Sequence, residues 1–337
     1  MPGLAGCEIV GSGLNPVFGL RVIFVRKYGF ARLHGELLMR WRNLRRSRNI
    51  EDRRGRSVRR GGSVRMPGGR GMKIGGGGAL LLLLASVFLG TDLTGLIGGG
   101  GGGLGSGLSP QVQQRTGTGT SQLPANDDIA QFVSTIMATT EDVWTPLFQQ
   151  AGKRYQPPKL VLFSDGVRSA CGFTSSAAGP FYCPGDNQAY IDLDFFAELQ
   201  RMGAGGDFAG AYVLAHEVGH HIQNLLGVSM EVQRRQRQVP KVQANALSVR
   251  TELQADCYAG VWAHHAHKKF QLLEPGDLEE GMNAAAKIGD DELMKNAGRR
   301  VRPESFTHGS SKQRQAWLLR GLQSGDPNQC DTFNVES

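Results

Sequence analysis

Apolar positions in the C-terminal two-thirds of the chain recur mostly at helical spacing. Ile129, Phe132, Val133, Ile136 and Met137 fall three or four apart after Asp127 and Asp128, which can cap a helix start, and a second helix is expected over about 141–150. Two short runs, KLVLF at Lys159–Phe163 and QAYIDL at Gln188–Leu193, read as strands. A Gly- and Ser-rich loop holding Cys171 and Cys183 joins them. Helical spacing then returns over about 208–226, 244–267, 278–287, 290–297 and 311–322, with Asp207, Asp277 and Ser310 as N-caps and Gly227 as a stop. Many helices and few strands predict an α+β domain, mostly helical with a small β-sheet. An exposed sheet edge such as Gln188–Leu193 could take up an extended peptide by strand addition.

Ahead of this domain the patterning breaks down. Residues 1–38 are mixed in composition and without clear periodicity. Met39, opening the run MRWRNLRRSRNIEDRRG, is a second candidate start, so 1–38 is expected to be a non-native N-terminal extension. The overall charge of +8 is unevenly spread: residues 1–73 hold 17 Lys/Arg against 4 Asp/Glu, and the remainder 21 against 26. Arginines interleaved with Gly and Ser cannot bury enough apolar surface to fold alone, so 39–73 is expected to be a basic cytoplasmic tail. No nucleic-acid partner is expected, because the basic residues lie in this tail and not on a folded surface.

From Ile74 to Gly90 no residue is charged. Residues 74–97 are therefore expected to form one transmembrane helix, an uncleaved signal anchor, with a cleaved signal peptide as the alternative. Positive charge on its N-terminal flank places that flank in the cytoplasm and the C-terminal domain in the periplasm or outside the cell, as a single-pass protein of the cytoplasmic membrane. A Gly/Ser-rich flexible linker over 98–126 then leads to a domain over 127–337. Apart from Cys7 the cysteines number four and form no CxxC pair. Two disulfides suit an oxidising compartment, with Cys171–Cys183 and Cys257–Cys330 favoured among three pairings; four buried free thiols are the alternative.

The chemistry concentrates in AYVLAHEVGHHIQNLLG. His216 and His220 lie four apart, on one face of a helix, where two imidazoles can grip one metal ion. Glu217 stands beside them, placed to take a proton from metal-bound water. Zinc (Zn2+) needs one more protein ligand and an open position for water. Glu252 and Asp256 are again four apart, in an apolar stretch with Leu253, Ala255, Val261 and Trp262, where two carboxylates are costly unless compensated. Glu252 would complete the metal set, and Asp256 would fix the tautomer of a ligating histidine; the competing reading is a surface pair bonded to arginines. His264, His265 and His267 fit a solvated helix terminus better than a metal site, and His221 points about 100° from His220. His308, in a loop before a helix, could stabilise an oxyanion or simply cap that loop.

Taken together, MRWRN…NIEDRRG, SACGF…GPFYCPGD, YIDLDFF, GDFAGAYVLAHEVGHHIQNLLG, ELQADCYAGVWA and ESFTHGSSKQRQ resemble the putative neutral zinc metallopeptidase family of bacterial membrane-anchored proteins. The HExxH and ExxxD arrangement also resembles the thermolysin-like gluzincins. The resemblance implies a zincin-like domain with His216, His220 and Glu252 as zinc ligands, Glu217 as catalytic base and Asp256 behind the metal. It implies a hydrolase acting on protein or peptide substrates and leaves the substrate open. The rival expectations are a non-catalytic zinc-binding envelope scaffold and a lipid or nucleic-acid binder working through the basic tail.

Overall fold

A computed structural model of the protein describes residues 39–55 and 123–334. The periodicity after Asp127 becomes one continuous helix, α1 (Asp128–Gln150), where two were expected. Asp127 caps it by accepting from the Ala130 amide at 3.0 Å. Pro146 lies inside α1 without ending it. A proline there cannot donate to the carbonyl four residues back. That carbonyl, on Asp142, accepts instead from Lys269 Nζ at 3.4 Å.

Both expected strands form, as β2 (Lys159–Phe163) and β6 (Gln188–Asp192). They pair in parallel, with β1 (Ile50–Asp52) parallel on the far side of β2 and β5 (Phe181–Cys183) antiparallel on β6. The order β1-β2-β6-β5 makes β6 an interior strand, which corrects the expectation of a free edge there; the strand beside it, β5, is an edge. A separate hairpin, β3 (Gly166–Ser169) with β4 (Gly172–Ser175), fills the expected Gly/Ser loop. The Cys171–Cys183 bridge ties that hairpin's turn to β5.

The N-terminal segment departs furthest from expectation. Residues 39–54, read as the start of an unfolded basic tail, pack into the domain. Met39 and Trp41 are buried, and Trp41 donates its indole N–H to Asp207 at 3.1 Å while meeting Phe132 edge to face. The reason is physical: the segment does not fold alone but borrows the edge of β2, and its arginines find carboxylates on the domain. Arg45 bonds Glu141 and Asp142, and Arg54 bonds Asp127. Residues 1–38, the rest of the tail, the expected anchor at 74–97 and the linker up to 122 lie outside the described residues. Among those described, no helix is long and apolar enough to cross a membrane.

The remaining helices are α2 (Phe195–Arg201), α3 (Asp207–Leu225), α4 (Val228–Gln236), α5 (Lys241–Phe270), α6 (Asp277–Lys287), α7 (Asp290–Asn296) and α8 (Ser311–Ser324). Mostly helical with a small sheet, the domain is α+β as expected. Asp207 and Asp277 occupy the first helical positions, one residue inside the caps Gly206 and Gly276, where carboxylates still favour the positive helix end. Ser310 caps α8 in a reciprocal box with Gln313. Gly227, at φ 80°, ends α3 and opens α4.

The long α5 runs through the core, with Leu253, Val261 and Trp262 fully enclosed. Its approach to α8 is close because Gly260 and Gly321 face it from both sides. A Cβ on Gly321 would fall 1.9 Å from the Cys257 carbonyl oxygen, and one on Gly260 would fall 2.2 Å from that of Leu318. The Cys257–Cys330 bridge pins the same stretch of α5 to the C-terminal end of the chain. Because the obstructing atoms are backbone, Gly321→Ala should destabilise the fold by about 3 kcal/mol. Urea unfolding followed by circular dichroism checks this, and an unshifted midpoint would refute such close packing of α5 and α8.

Candidate metal centre

Two helices build the site. α3 carries His216, Glu217 and His220, and α5 carries Glu252 and Asp256. They meet at Gly219, whose absent Cβ would lie 2.9 Å from the Ala255 carbonyl oxygen and 3.0 Å from its Cα. Only glycine leaves that gap, so the HExxH helix can lie against the ExxxD helix with both motifs turned inward.

Three donor atoms converge there. His216 Nε2 and His220 Nε2 are 3.1 Å apart. Glu252 Oε2 is 3.2 Å from the first, and its Oε1 is 3.5 Å from the second. The other ring nitrogens show how the protons lie. His216 Nδ1 faces the Asp256 carboxylate at 2.8 Å, and His220 Nδ1 faces Gln223 Oε1 at 2.9 Å. Gln223 cannot turn its amide round, because its NH2 donates to the Thr251 carbonyl and to Gln254 Oε1. Both Nδ1 atoms therefore donate, which leaves both Nε2 atoms, facing one another and a carboxylate, as the positions a metal ion or, on His216, a proton would take.

Lone pairs facing a carboxylate in a buried pocket repel unless a cation sits among them. Zinc held tetrahedrally at about 2.0–2.1 Å sets its donors about 3.3–3.4 Å apart, and the three distances bracket that value. The donor chemistry, two imidazoles and one carboxylate, suits zinc with a position left for water. The electrostatics agree. Burial opposes charge on His216, yet the Asp256 carboxylate outweighs it and holds the ring up at about 9. Burial likewise opposes the Glu252 anion, but His220 and His216 hold it well below the usual carboxylate range. The pocket favours positive charge at its centre.

Behind the metal set lies a second layer of bonds. Asp256, fully buried, accepts from the Tyr212 hydroxyl at 2.6 Å and from His216. Arg314 on α8 closes a two-pronged pair with it, Nε to Oδ2 at 2.8 Å and Nη2 to Oδ1 at 2.9 Å. Sequence reading assigned Asp256 and missed Arg314. The signal was present: Arg314 shares the apolar face of α8 with Trp317, Leu318 and Gly321, where an arginine needs a buried partner.

His308 stands over the same cavity, a space of about 160 Å³ that also touches His216, Glu217, His220, Glu252 and Arg314. Its Nδ1 faces Asp290 Oδ1 at 3.1 Å, while Asp290 Oδ2 accepts three successive amides, from Thr307, His308 and Gly309. Asp290, also missed from sequence, thus fixes both the loop and the ring, and leaves Nε2 unengaged by that contact. Glu217 is buried, and burial pushes its carboxyl up to about 7. Phe181 and Tyr182 of β5 line the cavity, and Phe195, Val213, Ile288 and Leu293 give it an apolar wall.

The competing histidines do other work. His221 is buried between the Tyr182 hydroxyl and the Gln156 carbonyl, tying α3 to the sheet. His264 and His265 bond the Leu322 and Gly325 carbonyls at the end of α8, and His267 accepts the Leu273 amide. They lie at a helix terminus as expected but are bonded to protein and half-buried.

Comparison with known proteins matches residues 39–333 to the family described as putative neutral zinc metallopeptidase. The chain is similar to the uncharacterized protein YpfJ of Escherichia coli, 48% identical over 271 residues, covering 79% of this chain and 90% of that one. It is also similar to the uncharacterized protein Rv2575 of Mycobacterium tuberculosis, 45% identical over 230 residues, covering 64% of this chain and 75% of that one. No solved structure matches.

Arg314→Gln would strand the Asp256 carboxylate. It should cost about 3–5 kcal/mol of stability, as removal of one partner from a buried pair does, and weaken zinc about 10–100-fold, as loss of support behind a metal ligand does. Chemical denaturation and competition with a zinc-binding dye read the two effects. No change in either would remove Arg314 from the metal centre.

Proposed function

Since the chain belongs to the putative neutral zinc metallopeptidase family, we propose that it hydrolyses peptide bonds of proteins or peptides, with Glu217 as the general base. The observation that carries this reading is the trio of donors at 3.1–3.5 Å, with Glu217 buried beside them in the cavity that Phe181 and Tyr182 also line. His216, His220 and Glu252 would hold the zinc. Bound there, zinc would lower the pKa of water towards neutrality and polarise the scissile carbonyl.

The chain's own residues divide the rest of the work. Glu217, buried in the cavity beside the donor trio, can accept a proton from the attacking water and return it to the leaving amine. His308, oriented by Asp290, offers its Nε2 toward the cavity to stabilise the oxyanion. β5 is the edge strand along the cavity, and its backbone can bond an extended peptide, with Phe181 and Tyr182 meeting alternate side chains. Both disulfides support work in an oxidising compartment.

Glu217→Gln should keep one equivalent of zinc while losing casein cleavage, and a chelator should abolish the wild-type cleavage. Wild-type rates in the variant would reject this mechanism; zinc binding without turnover in the native protein would favour a scaffold role. His308→Ala should lower kcat about 10²–10³-fold with zinc content unchanged, the loss seen when one oxyanion donor is removed. An unaltered kcat would return His308 to its loop-capping role.

A further inference from the structure

The segment 39–54 is woven into the domain at every level. Its backbone donates and accepts across the edge of β2: the Leu160 amide bonds the Asn49 carbonyl at 2.8 Å, and the Arg53 amide bonds the Leu162 carbonyl at 2.8 Å. Ser47 exchanges bonds with Ser134 on α1, its amide donating at 3.0 Å and its carbonyl accepting from the Ser134 hydroxyl at 3.2 Å. Glu141, buried on α1, takes its partners almost wholly from the segment, from Arg45, the Ser47 hydroxyl and Asn49. The Arg40 amide bonds the Leu272 carbonyl just past α5, and Arg40 also pairs with Glu274. Trp41 reaches Asp207, the first residue of the helix that bears His216 and His220. A buried carboxylate whose donors lie almost wholly in one segment is not left without it at small cost.

This seating constrains topology. Residues 56–122 separate the two described parts and contain one strongly apolar uncharged run, from Ile74 to Gly90; the uncharged stretch after Asp92 is mostly Gly, Ser and Gln. A run that crosses once puts its flanks on opposite sides of a hydrocarbon layer about 30 Å thick. Paired strands sit about 4.8 Å apart. The two arrangements exclude one another, and seventeen residues are too few for two crossings.

We infer that residues 39–55 and the domain lie on the same side of any membrane the protein meets. The single-pass arrangement expected from charge, with the basic segment in the cytoplasm and the domain outside, is incompatible with a seated β1. The inference stands whether or not the domain is a peptidase.

The test uses the full chain in cells. Arg48→Cys in the segment and Gln323→Cys on α8 are both exposed positions. A membrane-impermeant maleimide is applied to intact cells, to cells with the outer membrane opened, and to lysed cells. The expected result is that both positions gain label at the same step, whichever step that is. Label at Gln323→Cys in a step where Arg48→Cys stays protected until lysis, or the reverse, would overturn the inference. Zinc content and proteolytic resistance of each variant establish that the domain is folded, independently of its turnover.

Discussion

Two imidazole lone pairs and a carboxylate face one another in a buried pocket, with the far side of each ring already committed as a donor. That repulsion is the constraint on which the architecture turns, because only positive charge, a proton on His216 or a metal ion, relieves it. Asp256 and Gln223 create it by holding the protons at Nδ1 of His216 and His220. The same bonds that make an empty centre costly make a filled one rigid.

The surrounding fold keeps these groups from relaxing apart. Gly219 lets α3 lie against α5, and Gly260 and Gly321 let α5 lie against α8, so three helices bring their charged residues to one place. Asp256 without Arg314 would keep only His216 and Tyr212, and Arg314 without Asp256 would have Glu252 as its nearest carboxylate, at 4.0 Å. With that pair neutral, Glu252 is left in excess, a charge that a metal ion held with His216 and His220 would match. Around this centre the arrangement is economical: Asp290 fixes the His308 loop through three amides, and Trp41 braces the start of the HExxH helix.

Much of the site was legible in the sequence because helical spacing alone brings residues four apart onto one face. HExxH and ExxxD each announce themselves in that way, and the apolar neighbours of Glu252 signal a buried carboxylate that needs compensation. The Ser310 cap was legible for a similar local reason, and the disulfides from an even count of cysteines without CxxC pairs. Long-range partners were not. Nothing near Arg314 in the chain points to Asp256, and nothing near Asp290 points to His308. β1 has three residues, too short for alternation to show, and its existence depends on an edge supplied by β2 more than a hundred residues later. The basic composition of its surroundings read as solvation, when the arginines were partners for Glu141, Asp142 and Asp127. The expected break before Glu141 does not form, because Thr139 and Thr140 turn their hydroxyls back onto the Ile136 and Met137 carbonyls and α1 continues through them.

The central claim is that one zinc ion is held by two imidazoles and one carboxylate. Zinc K-edge X-ray absorption on the purified full-length protein reads that ligand set directly. The account predicts a shell of nitrogen and oxygen at about 2.0–2.1 Å with outer scattering from two imidazole rings. A sulfur shell, a third imidazole, or absence of zinc from active protein would contradict it.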